Sequence, residues 1–559
     1  MLQTSFVGRD RELAALKSSF QAMLEKRRAQ LVTVTGQAGI GKSRSASEFE
    51  TYVSSLIPRV AWHRGRCPSY GEGVVFRPLS EMVRHRLTLN DDDGGDIARA
   101  RLTERLTQWV PDETERAFVE PRLAILIGQS DRDFARQELF AAWRLFFERL
   151  SDVHPVGLLF EDLQWADSGL LDFLDYLLEW SAAKPLFLFK VTRVPSDQEE
   201  ASTPTVDSNA GRIHLDPLPA DVIEQILDGL VPGMPPVLKA KIISQAAGVP
   251  LYAVETVGSL IDRGLVIDRS GGLTLVGDVE DLEVPASLTA LIAARLDQLP
   301  ADERDLIKSL SILGSSFTRH AISAVTPEPE TEIDRRLDTL IAKGILAVAR
   351  ESASAGSEQY RFVQSLLGTV AADLLSRRER KARHLAVATK LEESQNSAMD
   401  AELVAFHYND AYRASGNDRD RDDIRARTAA AYERAAGRVN SLGSPERAGN
   451  YYTLAASLTA NEIDRLRLIA SAARMSFLSG RYEESLKLYE EAIEGHRAAE
   501  RDVAVARLAP SLGRTLVFSG EPRTACPSSG MPSGCWQRIK KLKLRPTPMP
   551  YLRSGSRSR

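Results

Sequence analysis

Gly36-Gln37-Ala38-Gly39-Ile40-Gly41-Lys42-Ser43 fits the pattern G-x-x-x-x-G-K-[ST], and its flanks decide the fold. Upstream, Leu31-Val-Thr-Val-Thr35 is short and rich in β-branched residues, which predicts a strand. Downstream, the stretch from Lys42 to about Leu56 has helical spacing. Strand, glycine turn and helix in that order predict a phosphate-binding loop. The glycines let the backbone wrap closely and aim N–H groups at phosphate oxygens. The helix N-terminus adds the positive end of its dipole. Residues Gly36, Gln37, Ala38, Gly39, Ile40, Gly41, Lys42, Ser43 and Arg44 are then expected to bind the phosphates of ATP. Lys42 would bridge the β- and γ-phosphates, and the Ser43 hydroxyl would ligate Mg²⁺. The bland alternative is a glycine turn with an incidental lysine.

A phosphate loop calls for an apolar strand that ends in acid. Val156-Gly-Leu-Leu-Phe160-Glu161-Asp162 supplies it. Its apolar residues would bury the strand, and both carboxylates would emerge at the C-terminal edge beside the phosphates. One would hold Mg²⁺ and the other polarise the attacking water. We assign Glu161 to the metal and Asp162 to the water, with a solvated strand end as the alternative. Leu13, Leu16, Phe20 and Met23 mark an amphipathic helix over Glu12–Leu24, and Pro185–Thr192 reads as a further strand. Strands spaced by helices imply a parallel sheet with crossover helices, an α/β core.

After about residue 200 the strand signals thin out. Pro219–Leu230, Pro236–Ala247 and Leu251–Arg263 read as short helices. Three more helix-length segments follow Pro285 and end in Gly344-Ile-Leu-Ala-Val348, which fits a winged-helix-like domain among several compact helical folds. Beyond about residue 390 the chain is helical and repeats. Gly480-x-Tyr482-x-x-Ser485-x-x-x-Tyr489-x-x-Ala492 shares its offsets with Gly443, Ala448, Tyr452 and Ala455, and Gly520 opens another copy. The spacing is close to the roughly 34 residues of a tetratricopeptide (TPR) repeat, where small residues let helices approach and Tyr rings fill the gaps. An ordinary helical bundle is the alternative. The expected organisation is a P-loop ATPase core (1–200), a helical lid (201–275), a winged-helix-like domain (276–390), TPR-like repeats (391–522) and a basic irregular tail (523–559).

The composition, 43% hydrophobic and 26% charged, excludes collagen-like, wholly disordered and disulfide-scaffold chains. Cys67, Cys526 and Cys535 lack the spacing of a zinc site. Met1 to Asp10 has no signal-peptide pattern, and no apolar run reaches the roughly 18–20 residues of a membrane span, so a cytoplasmic chain is expected. There is no H-E-x-x-H pair and no G-x-S-x-G elbow. The whole-chain net charge of −4 is uneven: residues from Pro522 onward hold nine Lys or Arg and no acid, leaving −13 for residues 1–521. Because the basic stretch begins where the repeat pattern fails, an incomplete or non-native chain end is expected there. A tail for nucleic acid or an acidic partner is the alternative.

Phe6-Val-Gly8-Arg9-Asp-Arg-Glu12, the phosphate loop, Arg66-Cys-Pro-Ser-Tyr70-Gly-Glu-Gly73, Glu161-Asp-Leu-Gln-Trp165-Ala-Asp167 and Thr192-Arg193 follow one another in an order that resembles a known module. It is the regulatory ATPase of the STAND class, related to AAA+ and origin-recognition ATPases. Such modules occur in bacterial adenylate/guanylate cyclase-type proteins and in large LuxR-type regulators. The resemblance spans roughly residues 5–520. It implies that Gly8 and Arg9 lie against the adenine, that Arg193 is a polar sensor of the γ-phosphate, and that Pro250 of Gly248-Val-Pro250 belongs to a lid motif facing the nucleotide. A helix-entry turn, a surface arginine and a plain helix cap are the respective alternatives. Trp165 and Asp167 would brace the loop after the acidic strand, although a core aromatic accounts for Trp165 equally well. The family usually shows Phe-Arg-His-x-Leu where this chain has Phe362-Val363-Gln364-Ser-Leu366, so a charged contact from this element is not expected.

The resemblance implies an ATP- and Mg²⁺-dependent signalling switch whose repeat arm binds a protein partner or small-molecule inducer. Neither a cyclase domain ahead of the ATPase motif nor a helix-turn-helix after the repeats is expected, so DNA would be reached only through a separate domain. A nucleotide-binding scaffold that never hydrolyses is one rival. An origin-recognition-like DNA-binding ATPase is the other, and the −13 body argues against it.

Overall fold

The computed structural model describes residues 5–56, 59–68, 74–89, 93–130, 132–193, 210–269, 272–276, 285, 287–314, 316–326, 328–349, 359–394 and 399–519. Tyr70 to Gly73, Cys526, Cys535, Gly520 and the basic tail lie outside them. The chain divides into two units, Met1–Ser415 and Gly416–Arg559.

The first unit opens with α1 (Asp10–Lys26), whose Leu16, Phe20 and Met23 are fully buried as their spacing requires. Then come β1 (Gln30–Thr35), α2 (Lys42–Ser54), β2 (Ala61–Arg66), α3 (Arg77–Arg86), α4 (Gly95–Trp109), α5 (Glu113–Leu126), α6 (Arg136–Val153), β3 (Val156–Glu161), α7 (Ser168–Trp180), β4 (Leu186–Thr192) and β5 (Ala210–His214). The strands form one sheet in the order β2-β3-β4-β1-β5. Every pairing is parallel, with Val32 opposite Phe189 and Leu159 also opposite Phe189. Helices cover both faces, which is why every residue of β3 is buried and why its sequence runs apolar without alternation. Phe20, Phe49, Phe187 and Phe189 interlock beneath the sheet, with ring centroids 5.1 Å apart for Phe20–Phe187 and 5.7 Å for Phe49–Phe189. Each such ring contributes about 1.5–3 kcal/mol by leaving water.

Strands β2 and β5 were not expected from the sequence. They are the two edges of the sheet. Ala-Trp-His-Arg-Gly-Arg in β2 alternates buried and half-buried residues, and its polar side chains have a surface to occupy that a central strand lacks.

The helices α8 (Ala220–Leu230), α9 (Pro236–Ala246) and α10 (Pro250–Asp262) follow, with the hairpin β6 (Val266–Arg269) and β7 (Gly272–Leu275). Ile223, Leu227, Ile242, Ala253 and Val257 form their shared core. Next are α11 (Leu288–Asp297), α12 (Ala301–Ser311), β8 (Ser316–Thr318), α13 (Arg319–Val325), α14 (Glu330–Ala342), β9 (Leu346–Ala349), β10 (Gln359–Phe362), α15 (Ser365–Asp373), α16 (Arg377–Glu392) and α17 (Ala401–Ser415). The strands pair antiparallel in the order β8-β10-β9. Ile307, Leu310, Phe317, Phe362 and Leu367 pack beneath them.

A buried ionic joint ties α10 to this second set of helices. Arg295 donates from Nη1 to Glu255 Oε2 at 2.9 Å, from Nε to Asp262 Oδ2 at 2.7 Å and from Nη2 to the Lys343 carbonyl at 2.9 Å. Gln364 Nε2 donates to the other oxygen of Glu255. The element therefore keeps a contact through a neutral amide where a charged one was not expected. A clamp joins α17 to the ATPase core: the Val75 N–H donates to buried Glu402 at 2.9 Å, and Arg77 pairs with Asp400 at 3.4 Å.

The second unit consists of α18 (Arg421–Ser441), α19 (Pro445–Leu458), α20 (Glu462–Leu478), α21 (Tyr482–Ala498) and α22 (Asp502–Phe518). The small positions of the repeat, Ala448, Ala455, Ser485 and Ala492, are all buried. Ser485 donates to the Ala473 carbonyl at 2.8 Å, and Tyr489 packs with Leu486, Ile493, Leu512 and Leu516. Chain order alone thus produces a helical repeat arm. Among the described residues no helix is long and apolar enough to cross a membrane.

Candidate nucleotide site

The sheet order brings the chemistry together. β1 delivers the phosphate loop at its C-terminal end, β3 delivers the acids, and β4 lies between them. The site is therefore the cleft beyond the carboxyl ends of three adjacent parallel strands. Gly39 and Gly41 have φ of 78° and 107°, a region that glycine enters without penalty. A side chain at Gly39 would press within 3.0 Å of Val249 and Leu251. Lys42 and Ser43 begin α2, with Ser43 and Arg44 on the exposed face. The Arg44 guanidinium pairs with Glu48 at 2.7 Å.

Lys42 Nζ donates to the carbonyls of Gly36 at 2.7 Å and Gln37 at 2.8 Å, so the ammonium is drawn across its own loop. Burial lowers its pKa to about 8; the nearby Arg193 adds to that, and Asp162 opposes it. The three side chains therefore share one electrostatic neighbourhood.

Glu161, 1% exposed, ends β3. Its Oε2 accepts from Arg64 Nε at 2.8 Å and from Arg66 Nη2 at 3.0 Å. Burial alone would raise the carboxyl pKa. Arg66 and then Arg64 outweigh burial, with Arg361 contributing, and hold it at about 2. The charge is permanent at neutral pH. Oε1 is buried and has no hydrogen-bond partner, an arrangement that costs about 1–3 kcal/mol or more unless an incoming group completes it. A hard cation bound by one or two carboxylates, a hydroxyl and substrate phosphates is the pattern for Mg²⁺. The unpartnered oxygen, Asp162 and the exposed Ser43 hydroxyl suit that donor set. Among the described residues there is no cluster of three His, Cys, Asp or Glu that would hold a metal by itself.

Asp162 follows in the left-handed region at φ 57°. Its Oδ2 lies 3.5 Å from Arg66 Nε, and its Oδ1 accepts from Gln164 Nε2 at 3.1 Å. Gln164 Oε1 in turn accepts from the Arg193 N–H at 3.1 Å. Asp167 caps α7 through Leu170 N at 3.0 Å and accepts from Phe76 N at 3.3 Å, so it braces the loop after the acidic strand. Trp165 is exposed at 38%, which sets aside the core-aromatic account.

The remaining expected residues surround the loop. The Gly248 carbonyl accepts from Leu218 N at 2.8 Å, and Pro250 starts α10, whose Leu251 N–H reaches the Gly39 carbonyl at 3.4 Å. A side chain at Gly8 (φ 73°) would come within 2.6 Å of Val222 in α8. Arg9 is 5% exposed; it donates to the Asp216 carbonyl at 2.5 Å and to that of Ile40 at 3.4 Å, and it pairs with Glu12 at 3.0 Å. These contacts stitch the chain entry, the phosphate loop and the start of the lid together. Sequence reasoning assigned no role to Arg64, Arg66 or Gln164. No local signal marks the two arginines, because β2 was not expected as a strand and its neighbour is set by the sheet order.

Residues 5–189 match the family model of the AAA ATPase domain. No curated protein matches the chain significantly. Among solved structures the chain is similar to the Signal Transduction ATPase with Numerous Domains (STAND) protein with a tetratricopeptide repeat sensor from Pyrococcus horikoshii. That likeness has 13% identity, covers 96% of this chain and 84% of the other, and has a TM-score of 0.41. It is also similar to the ORC1 protein of Aeropyrum pernix in complex with DNA, at 15% identity over 67% of this chain and 94% of that one, with a TM-score of 0.30. The stretch that carries the phosphate loop and the acidic strand is thus an AAA-type P-loop ATPase domain, a nucleotide-binding class.

Proposed function

We propose that the chain is an ATP-binding switch that hydrolyses ATP slowly with Mg²⁺ and serves as the regulatory ATPase of a signalling protein of the cyclase-associated or LuxR-type kind. The observation that carries the proposal is the grouping of Lys42, Asp162 and Arg193 at the carboxyl ends of β1, β3 and β4, with the lid segment Val249–Leu251 against the loop.

In this mechanism the loop amides and Lys42 bind the phosphates, and Lys42 leaves its own carbonyls to do so. Ser43 and Glu161 would hold Mg²⁺, which would neutralise phosphate charge when bound. Asp162 orients a water and accepts its proton as the water oxygen attacks the γ-phosphorus. The bond from that phosphorus to the bridging oxygen breaks, ADP leaves, and the proton passes to the released phosphate. Arg193 stabilises charge on the γ-phosphoryl oxygens. Loss of the γ-phosphate removes the contacts that Lys42 and Arg193 make to it, so ATP and ADP favour different arrangements of loop and lid. The helical repeat arm takes a protein partner or small-molecule inducer and biases that equilibrium.

Phosphate release from the purified full chain tests the proposal, with Lys42→Ala and the double change Glu161→Ala, Asp162→Ala as controls. ATP-dependent release that both controls abolish supports it. Tight ATP binding with no release from the unaltered chain would show a nucleotide-binding scaffold instead.

A further inference from the structure

Gln164 sits in the single turn Leu163–Trp165 directly after the acidic pair, and its carboxamide faces two ways. Nε2 donates to Asp162 Oδ1 at 3.1 Å. Oε1 accepts from the Arg193 N–H at 3.1 Å and lies 3.5 Å from the Thr192 hydroxyl. The neighbours fix the amide's orientation. An ionised carboxylate only accepts and a backbone N–H only donates, so exchanging O and N would break both bonds. Asp162 is held on its other oxygen by Arg66 at 3.5 Å, so both oxygens of the carboxylate are restrained. The carboxylate also lies close enough to Lys42 to act on its charge, so without these restraints Lys42 competes for it.

We infer that Gln164 is a positioning residue that fixes the Asp162 carboxylate against the end of β4, keeping it aimed at the attacking water and away from Lys42. It acts through Asp162 and the Thr192–Arg193 backbone. Its role rests on the hydrolytic function proposed above.

The experiment compares the full chain with Gln164→Leu, Gln164→Glu and Gln164→Asn. It measures affinity for a slowly hydrolysed fluorescent ATP analogue and, separately, single-turnover phosphate release against pH. Thermal melting checks that each variant is folded. Gln164 is half-buried on a surface turn, so Gln164→Leu is compatible with folding. The expected result for Gln164→Leu is an affinity within about threefold and a rate lowered about 10–100-fold, the scale of a displaced catalytic group. Gln164→Glu sets a carboxylate beside Asp162, so the acid limb of the pH–rate profile moves upward. A merely structural role would lower affinity and rate together, whereas a positioning role lowers the rate alone. Gln164→Asn, one methylene shorter, cannot span both partners and should behave like Gln164→Leu. Equal loss of affinity and rate, or full activity in Gln164→Leu, overturns the assignment. If the unaltered chain binds the analogue and releases no phosphate from ATP, the hydrolytic function itself fails, and this result is separable because it requires no variant.

Discussion

Glu161 and Glu255 are both buried carboxylates held by arginine, and they are completed differently. Glu255 has a partner on each oxygen, Arg295 on Oε2 and Gln364 on Oε1. Glu161 has Arg64 and Arg66 crowded onto Oε2 and nothing on Oε1. A buried ion pair offsets its desolvation only when its remaining lone pairs are satisfied. The finished cluster is therefore a joint between α10 and the helices after it, and in the proposed function the unfinished one is the seat for an incoming group. The number of partners on each oxygen separates architecture from chemistry here, where burial and charge do not.

The contrast can be broken most directly at the joint. Arg295→Met leaves Glu255 buried without its cation and takes the partner from Asp262, so denaturant unfolding should show a loss of about 3–5 kcal/mol. Glu161→Ala should behave in the opposite way. Its arginines keep second carboxylates, Glu50 for Arg64 and Asp162 for Arg66, so stability falls less than in Arg295→Met. Phosphate release should drop on the order of 100-fold or more. If Glu161→Ala unfolds the chain while Arg295→Met abolishes hydrolysis, the contrast is wrong.

Acid sharpens it further. Burial, with Arg86 and His85 adding, lowers His63 on β2 to about 3, and neither ring nitrogen has a hydrogen-bond partner. The unfolded chain takes up that proton near pH 6.5, so stability should decline as pH falls from about 6.5 toward 3, by up to about 1.4 kcal/mol per pH unit. The Glu161 contribution has a separate window: it is complete above about 4.5 and is lost as pH falls through about 2. His384 and His407, buried and likewise lowered, share this window, so His63→Leu should make the first decline in a urea titration across pH shallower without abolishing it, and leave the second unchanged.

Lys42 gives the alkaline counterpart. Phosphate binds the ammonium form, and the free protein loses that proton near pH 8. ATP affinity, read by titration calorimetry, should weaken above pH 8 by up to about tenfold per unit. The smallest change is expected from Gln364→Ala, which removes one partner from Glu255 and should lower stability by about 1 kcal/mol without altering hydrolysis.

Part of this was legible in the residues. The phosphate loop, the acidic strand and β4 follow from local patterns, because a central parallel strand must be apolar and its chemistry sits at its end. Strands β2 and β5 were hidden because sheet edges tolerate polar residues. The arginines of β2 were hidden for the same reason: their meaning depends on which strand lies beside them, and Arg66 is 95 residues from Glu161. The Gln364 contact could not be read from a motif defined by charge, since an amide donates to a carboxylate equally well.

The clamp on α17 has a consequence for observation. The neighbouring amides of Val75 and Phe76 are protected by Glu402 and Asp167, partners 327 and 91 residues away in sequence. Deuterium can reach the Val75 amide when α17 lifts, and the Phe76 amide when the turn after the acidic strand opens. Two adjacent amides therefore time two separate movements, and their exchange rates read each one without any label attached.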